Sequence, residues 1–157
     1  MATATSIHPG LGSNTFSPAA WEIVRASRDM ANKRGFIAVE PIDLLASLSA
    51  SKTPEGNALV SQKADYGHVL IQGQCRPKIN LPFNESNPKS NFTSEAREVL
   101  VRALLIAEQR GKDIVDEHDL VEVLMNSQFS PSAIQSVLRE LNVDLPKFWQ
   151  AVNSLSA

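Results

Sequence analysis

Apolar residues return along this chain at helical spacing. Phe92, Ala96, Val99, Leu100, Ala103, Ile106 and Ala107 follow the i, i+3, i+4, i+7 rhythm that gathers apolar groups on one helix face. Glu95, Arg97, Glu98, Arg102 and Glu108 fall largely elsewhere on that helix, and Gly111 stands where a residue of positive φ would stop it. Earlier in the chain Phe16, Ala20, Ile23, Val24, Met30 and Ala31 repeat the design, with Gly35 as the stop. A short extended stretch, 36–39 or 112–115, then leads to a second helix carrying Leu44, Leu45 and Leu48, or Leu120, Val121, Val123 and Leu124.

The likeness is an internal repeat. Laid over one another without a gap, residues 16–48, FSPAAWEIVRASRDMANKRGFIAVEPIDLLASL, match residues 92–124, FTSEAREVLVRALLIAEQRGKDIVDEHDLVEVL. Identical pairs include Phe16/Phe92, Ala31/Ala107, Arg34/Arg110, Gly35/Gly111, Val39/Val115, Asp43/Asp119 and Leu44/Leu120. One supersecondary unit is used twice. Ser17-Pro18, Thr53-Pro54 and Ser130-Pro131 each place a side-chain cap before a proline whose missing N–H costs nothing in a first helical turn. The third helix of the first copy is predicted to run from Thr53 through Ala58, Leu59 and Tyr66. Its partner runs from Ser130 through Ile134, Val137, Leu138 and Leu141, with Gln62 and Lys63 read in the places of Val137 and Leu138. A fourth element, His68 to Gln72, reads as a short helix or a strand, and Leu145 to Leu155 as a helix with Phe148, Trp149 and Val152 as its apolar contacts.

Residues 73–91 hold Pro77, Pro82 and Pro88 and read as a linker. The expected architecture is therefore all-α, with about eight helices in two repeats. Residues 1–15 form a flexible tail, 16–72 the first repeat and 92–155 the second. Neither half could bury its apolar faces alone, so the repeats are expected to pack as one domain about a pseudo-twofold axis.

Bulk properties narrow the function classes. The 157 residues carry 15 Lys+Arg against 17 Asp+Glu, without the concentrated positive charge that a phosphate backbone requires. Nucleic acid, and with it a helical DNA-binding regulator, is disfavoured as a partner. The lone Cys75 and three scattered histidines make neither a disulfide nor a zinc-site spacing. No apolar run approaches the ~18 residues of a membrane span, and the start shows no export signal. A cytoplasmic location is expected, and the sequons at Asn84 and Asn91 read as chance. No phosphate-cradling G-x-x-x-x-G-K-[ST] loop, G-x-S-x-G elbow or dinucleotide fingerprint occurs, Gly10-Leu11-Gly12 lacking both a preceding strand and a third glycine. No enzyme activity, cofactor or metal is expected.

The stretch Asp116-Glu117-His118-Asp119 concentrates the residue types of metal and acid/base sites. On a helix, however, successive residues turn by ~100°, so these side chains do not converge. Asp116 is placed as an N-cap and Asp119 in the first turn, where carboxylates are favoured. In the other copy the equivalents are Glu40, Pro41, Ile42 and Asp43, so His118 reads as a packed, hydrogen-bonded core residue matched by Ile42. The aromatic Trp21 and Trp149 are either core residues or partner-binding anchors.

These residues resemble a known family. Two copies of F-[ST]-x-x-A, an amphipathic helix, an R-G stop and a leucine-rich helix, with the ending VLRELNVDL, are similar to the Clp N-terminal repeat domain of the Hsp100/Clp AAA+ chaperones. Val39-Glu40-Pro41 is more like the ClpB type and Glu117-His118 more like the ClpC type. The resemblance implies an eight-helix, non-catalytic module that docks substrates, adaptors or Clp subunits to an unfoldase or its protease. It acts either as a stand-alone accessory protein, for which the plastid stroma is a further location, or as the N-domain of a longer chaperone. The resemblance also implies a role for Glu117, since ClpC-type members use this glutamate in both repeats to recognise phosphorylated arginine; Pro41 replaces it in the first copy. A first-turn glutamate is also favourable for the helix itself.

Overall fold

An amphipathic stripe is buried only when another element covers it, and here the two copies cover each other. The computed structural model of the chain describes residues 15–33, 38–72, 92–126 and 130–156. The expectations for the tail at 1–14, the stop at Gly35, Cys75 and the linker at 73–91 lie outside the described residues. The first copy supplies α1 (Pro18–Lys33), α2 (Pro41–Ala50), α3 (Pro54–Ser61) and α4 (Tyr66–Gln72). The second supplies α5 (Ser94–Gln109), α6 (Glu117–Met125), α7 (Ser132–Glu140) and α8 (Leu145–Ser156). The fold is all-α, and the ambiguous fourth element of the first copy is a helix.

Helices α2 and α6 form the centre. Every residue of α2 from Pro41 to Ser49 is buried, as are Leu120, Val121, Val123, Leu124 and Met125 of α6. A helix apolar around most of its circumference needs neighbours on several sides. Accordingly α2 packs on α1, α3 and α4 of its own copy and on α5 and α7 of the other, while α6 packs on α5 and α7 and, across copies, on α1 and α3. Each cross-copy contact has its mirror, α1 with α6 against α5 with α2, and α3 with α8 against α7 with α4. This reciprocity is the pseudo-twofold relation in physical form.

Backbone pairing repeats it. Phe16 bridges to Val115 and Val39 to Phe92, both in parallel sense. The connecting stretches read as extended thus each hold the start of the opposite copy's first helix. Ser17 N–H donates to Val115 O at 2.8 Å, and Thr93 N–H to Val39 O at 2.9 Å.

Helix ends correct three readings. Helix α3 stops at Ser61 and Tyr66 opens α4, because Lys63 adopts φ 65 and its N–H and that of Ala64 close onto Val60 O and Leu59 O. Helix α7 ends in the same motif at Asn142 (φ 57), bonded to Arg139 O, with Val143 bonded to Leu138 O. Superposing the motifs matches Leu59 with Leu138 and Ala58 with Val137, so Gln62 and Lys63 do not take the places of Val137 and Leu138. At the helix starts, Ser17 and Thr53 cap as expected, accepting from Ala20 N–H at 3.2 Å and Gly56 N–H at 3.1 Å. Ser130 does not: Pro131 is the N-cap residue of α7, and among the described residues the buried Ser130 hydroxyl has no hydrogen-bond partner.

Candidate functional site

Asp116 begins the site by capping α6. Its carboxylate accepts from Asp119 N–H at 3.0 Å, and the Asp119 carboxylate accepts from Asp116 N–H at 3.0 Å. Asp119 is fully buried, and its charge is met by Arg110 at 2.8 Å and Lys112 at 2.7 Å. Lys112 also reaches Asp116 at 2.8 Å. Gly111, at φ 75, lets the chain turn back after α5 so that Arg110 and Lys112 both face the start of α6. The identity of both Arg34/Arg110 and Asp43/Asp119 across copies was a sequence signal for this pairing; the first copy's arginine lies outside the described residues.

The electrostatics follow from burial and partners. Burial pushes the Asp116 carboxyl up, but Lys112 and the Asp119 hydrogen bonds outweigh it and hold the group below its ordinary value. Burial pulls the Lys112 ammonium down, and its two carboxylates more than reverse this, so it sits above its ordinary value.

His118 differs from the expected core residue. Its side chain is 44 % exposed, whereas the matched Ile42 is buried. The reason is Glu55, whose fully buried carboxylate lies against His118 Nδ1 from the other copy. An imidazole that pairs with a carboxylate at the edge of the core keeps one side in water, whereas isoleucine has no such partner. Glu55 carried no sequence signal, because a glutamate in the first turn of a helix is ordinary.

Glu117 opens α6 and is partly exposed, and its side chain makes no hydrogen bond or ion pair among the described residues. Trp21 is partly buried on α1, its ring 5.9 Å from that of Phe16 and Arg28 6.0 Å from its centre. Trp149 is partly buried on α8, edge-on to Phe148 at 5.0 Å. The three stand on three different helices.

A surface groove of about 500 Å³ runs between the starts of α5 and α7, lined by Glu95, Glu98, Val99, Arg102 and Pro131 among others. It continues, through the shared Glu98 and Arg102, into a smaller depression of about 360 Å³ past Leu105, Ile106 and Gln109. Leu105 is 49 % exposed. Neither depression includes Glu117, Trp21 or Trp149. Among the described residues no cluster of three or more His, Cys, Asp or Glu side chains is placed to hold a metal ion, and no helix is long and apolar enough to cross a membrane.

No protein-family model matches the sequence, and no curated protein matches it. Solved structures do match. The N-terminal domain of Hsp104 from Candida albicans superposes with a TM-score of 0.63 at 16% identity, covering 90% of this chain and 91% of that one. The N-terminal domain of the caseinolytic protease associated chaperone ClpD from Arabidopsis thaliana superposes with a TM-score of 0.67 at 15% identity, covering 92% of this chain and 99% of that one. The chain has the Clp N-terminal domain fold.

Proposed function

We propose that this chain is a non-catalytic protein-binding module that brings substrate polypeptides, adaptors or Clp subunits to an AAA+ Clp unfoldase or its protease, as a stand-alone accessory protein. The observation that carries the reading is the end-to-end likeness to two chaperone N-terminal domains, each covered over nine-tenths of its length or more. The groove along α5, with its exposed Leu105 beside charged Glu98 and Arg102, supports it as a surface on which an apolar segment could settle. Residues 16–72 and 92–155 act in this reading as two repeats of one domain joined by 73–91. Glu117, Trp21 and Trp149 are its partner-facing residues, Glu117 through a partly exposed carboxylate suited to a guanidinium. The N-domain of a longer Hsp100 chaperone is the second reading, favoured by the fact that the Hsp104 and ClpD structures are both N-terminal domains. A cytoplasmic or plastid stromal location goes with either.

Affinity capture from the native cell extract with tagged protein tests the reading. Recovery of Clp ATPase or protease subunits is expected, with Trp21→Ala and Trp149→Ala weakening it. Reproducible absence of every Clp subunit, beside a different captured complex, would sink it. Glu117→Ala tests the narrower role: it should lower capture of phosphoarginine-bearing protein, and unchanged capture removes Glu117 from the site.

A further inference from the structure

Glu55 is fully buried, and among the described residues neither of its carboxylate oxygens has a hydrogen-bond partner of ordinary geometry. A carboxylate in such a place is strongly disfavoured unless it is neutralised or paired. What it meets is Nδ1 of His118. The two belong to different copies, Glu55 to the first turn of α3 and His118 to the first turn of α6, so their contact is a joint between the repeats. Imidazole is the side chain whose ordinary titration falls between roughly pH 5 and 8. Because 44 % of the His118 side chain is exposed, protons reach the pair from solvent without unfolding.

Among the described residues, the helices packed against α3 supply no substitute cation. Asp116 and Glu117 add negative charge that Glu55 feels from α6. Of the other ionisable groups on helices packed against α3, Asp43 of α2 accepts from Glu40 N–H at 2.9 Å. Asp119 and Glu122 of α6 are held by Arg110. Lys147 of α8 is exposed and is not among the charges acting on Glu55.

We infer that Glu55 and His118 hold one proton between them, and that this proton latches α3 of the first repeat to α6 of the second, its loss as pH rises loosening the joint. With the proton present the pair is neutral overall, as imidazolium with carboxylate or as imidazole with carboxylic acid. Without it, a buried carboxylate faces a neutral ring and two further acids. The direction agrees with the environment of Glu55. Burial pushes its carboxyl above the ordinary value, opposed by its own backbone N–H and by His118 and reinforced by Glu117 and Asp116. A folded-state value above the unfolded one means that the stabilisation is complete below the ordinary glutamate value and is lost as pH rises through the folded value. The mirror joint, α2 with α7, has Ile42 in place of His118 and, by the superposition of the helix ends, the buried Ile134 in place of Glu55, and lacks the latch. The inference stands whether or not the chain docks Clp partners.

Amide hydrogen exchange of the full chain between pH 6 and 8, corrected for the intrinsic rate, reads both joints at once. Opening at α3 and the first turn of α6 is expected to grow roughly tenfold, within the limit of tenfold per pH unit that one proton sets, while α2 and α7 hold constant. Glu55→Gln, which keeps the volume and removes the charge, is expected to flatten the response. Equal pH response at the two joints, or an unchanged response in Glu55→Gln, overturns the inference. If Glu55→Gln does not fold, carbon-13 NMR titration of the wild type decides: a shared step at Glu55 Cδ and the His118 ring supports the latch, and separate steps with Glu55 ionising in the ordinary glutamate range overturn it.

Discussion

The backbone N–H of Ser17 donates to the carbonyl of Val115 at 2.8 Å, so the first helix of one copy begins on the connecting stretch of the other. Thr93 and Val39 repeat the bond in mirror image at 2.9 Å, and Val115 N–H returns one to Thr15 O at 2.8 Å. Phe16, Val39, Phe92 and Val115, which flank these bonds, are all buried. Each copy therefore finishes a surface that the other needs.

These bonds should break only when the whole chain unfolds. The amides of Ser17, Thr93 and Val115 are expected to show the same opening free energy as core amides such as Leu120 and Leu124 in native-state hydrogen exchange. Residues 92–157 expressed alone are expected to lack cooperative melting by circular dichroism, since their apolar face is uncovered.

Gly56 is required by close approach. A Cβ there would stand 2.5 Å from Leu48 O and 2.6 Å from Ser51 O, both backbone atoms that cannot swing away. Gly56→Ala is expected to lower stability by roughly 2 to 3 kcal/mol in urea unfolding. Gly67→Ala, inside α4, is the contrast: a Cβ there would meet only the Asp65 carboxylate, at 4.0 Å, and the substitution should raise stability by about 0.5 kcal/mol.

Lys63 and Asn142 hold left-handed backbone, φ 65 and φ 57, at the ends of α3 and α7. Glycine adopts that conformation without strain, as Gly111 does at φ 75 after α5. Lys63→Gly is expected to raise stability by about 0.5 to 1 kcal/mol, and Asn142→Gly by less, since asparagine already tolerates the region. Thermal unfolding of the single variants reads the order.

Acid should loosen the start of α6. The Asp116 carboxyl, pushed up by burial but held lower by Lys112 and Asp119, has a folded value below its unfolded one. Its contribution is complete above the ordinary aspartate value and is lost as pH falls through the depressed value. Lys112→Met is expected to cost about 1 to 2 kcal/mol at neutral pH, limited by the third of Lys112 and of Asp116 that faces water. It should also reduce the stability difference between neutral and acidic solution, as measured by urea midpoints across that range.

Residue order alone determined the long helices, their doubling and the caps at Ser17, Thr53 and Asp116, because periodicity and capping are local and act within a few residues, whereas His68 to Gln72 is too short for its spacing to choose between helix and strand. It also showed that Asp116, Glu117 and His118 point apart, which the helical turn dictates. Tertiary structure decided what local rules do not reach. The end of α3 moved to Ser61 because a lysine took a backbone region usually given to glycine, and Pro131 displaced Ser130 as the N-cap residue of α7. His118 left the core that Ile42 occupies because Glu55, distant in sequence and on the other copy, is buried against it. A charge meeting its partner across a pseudo-twofold interface depends on how two surfaces register, and spacing along one chain carries no trace of that.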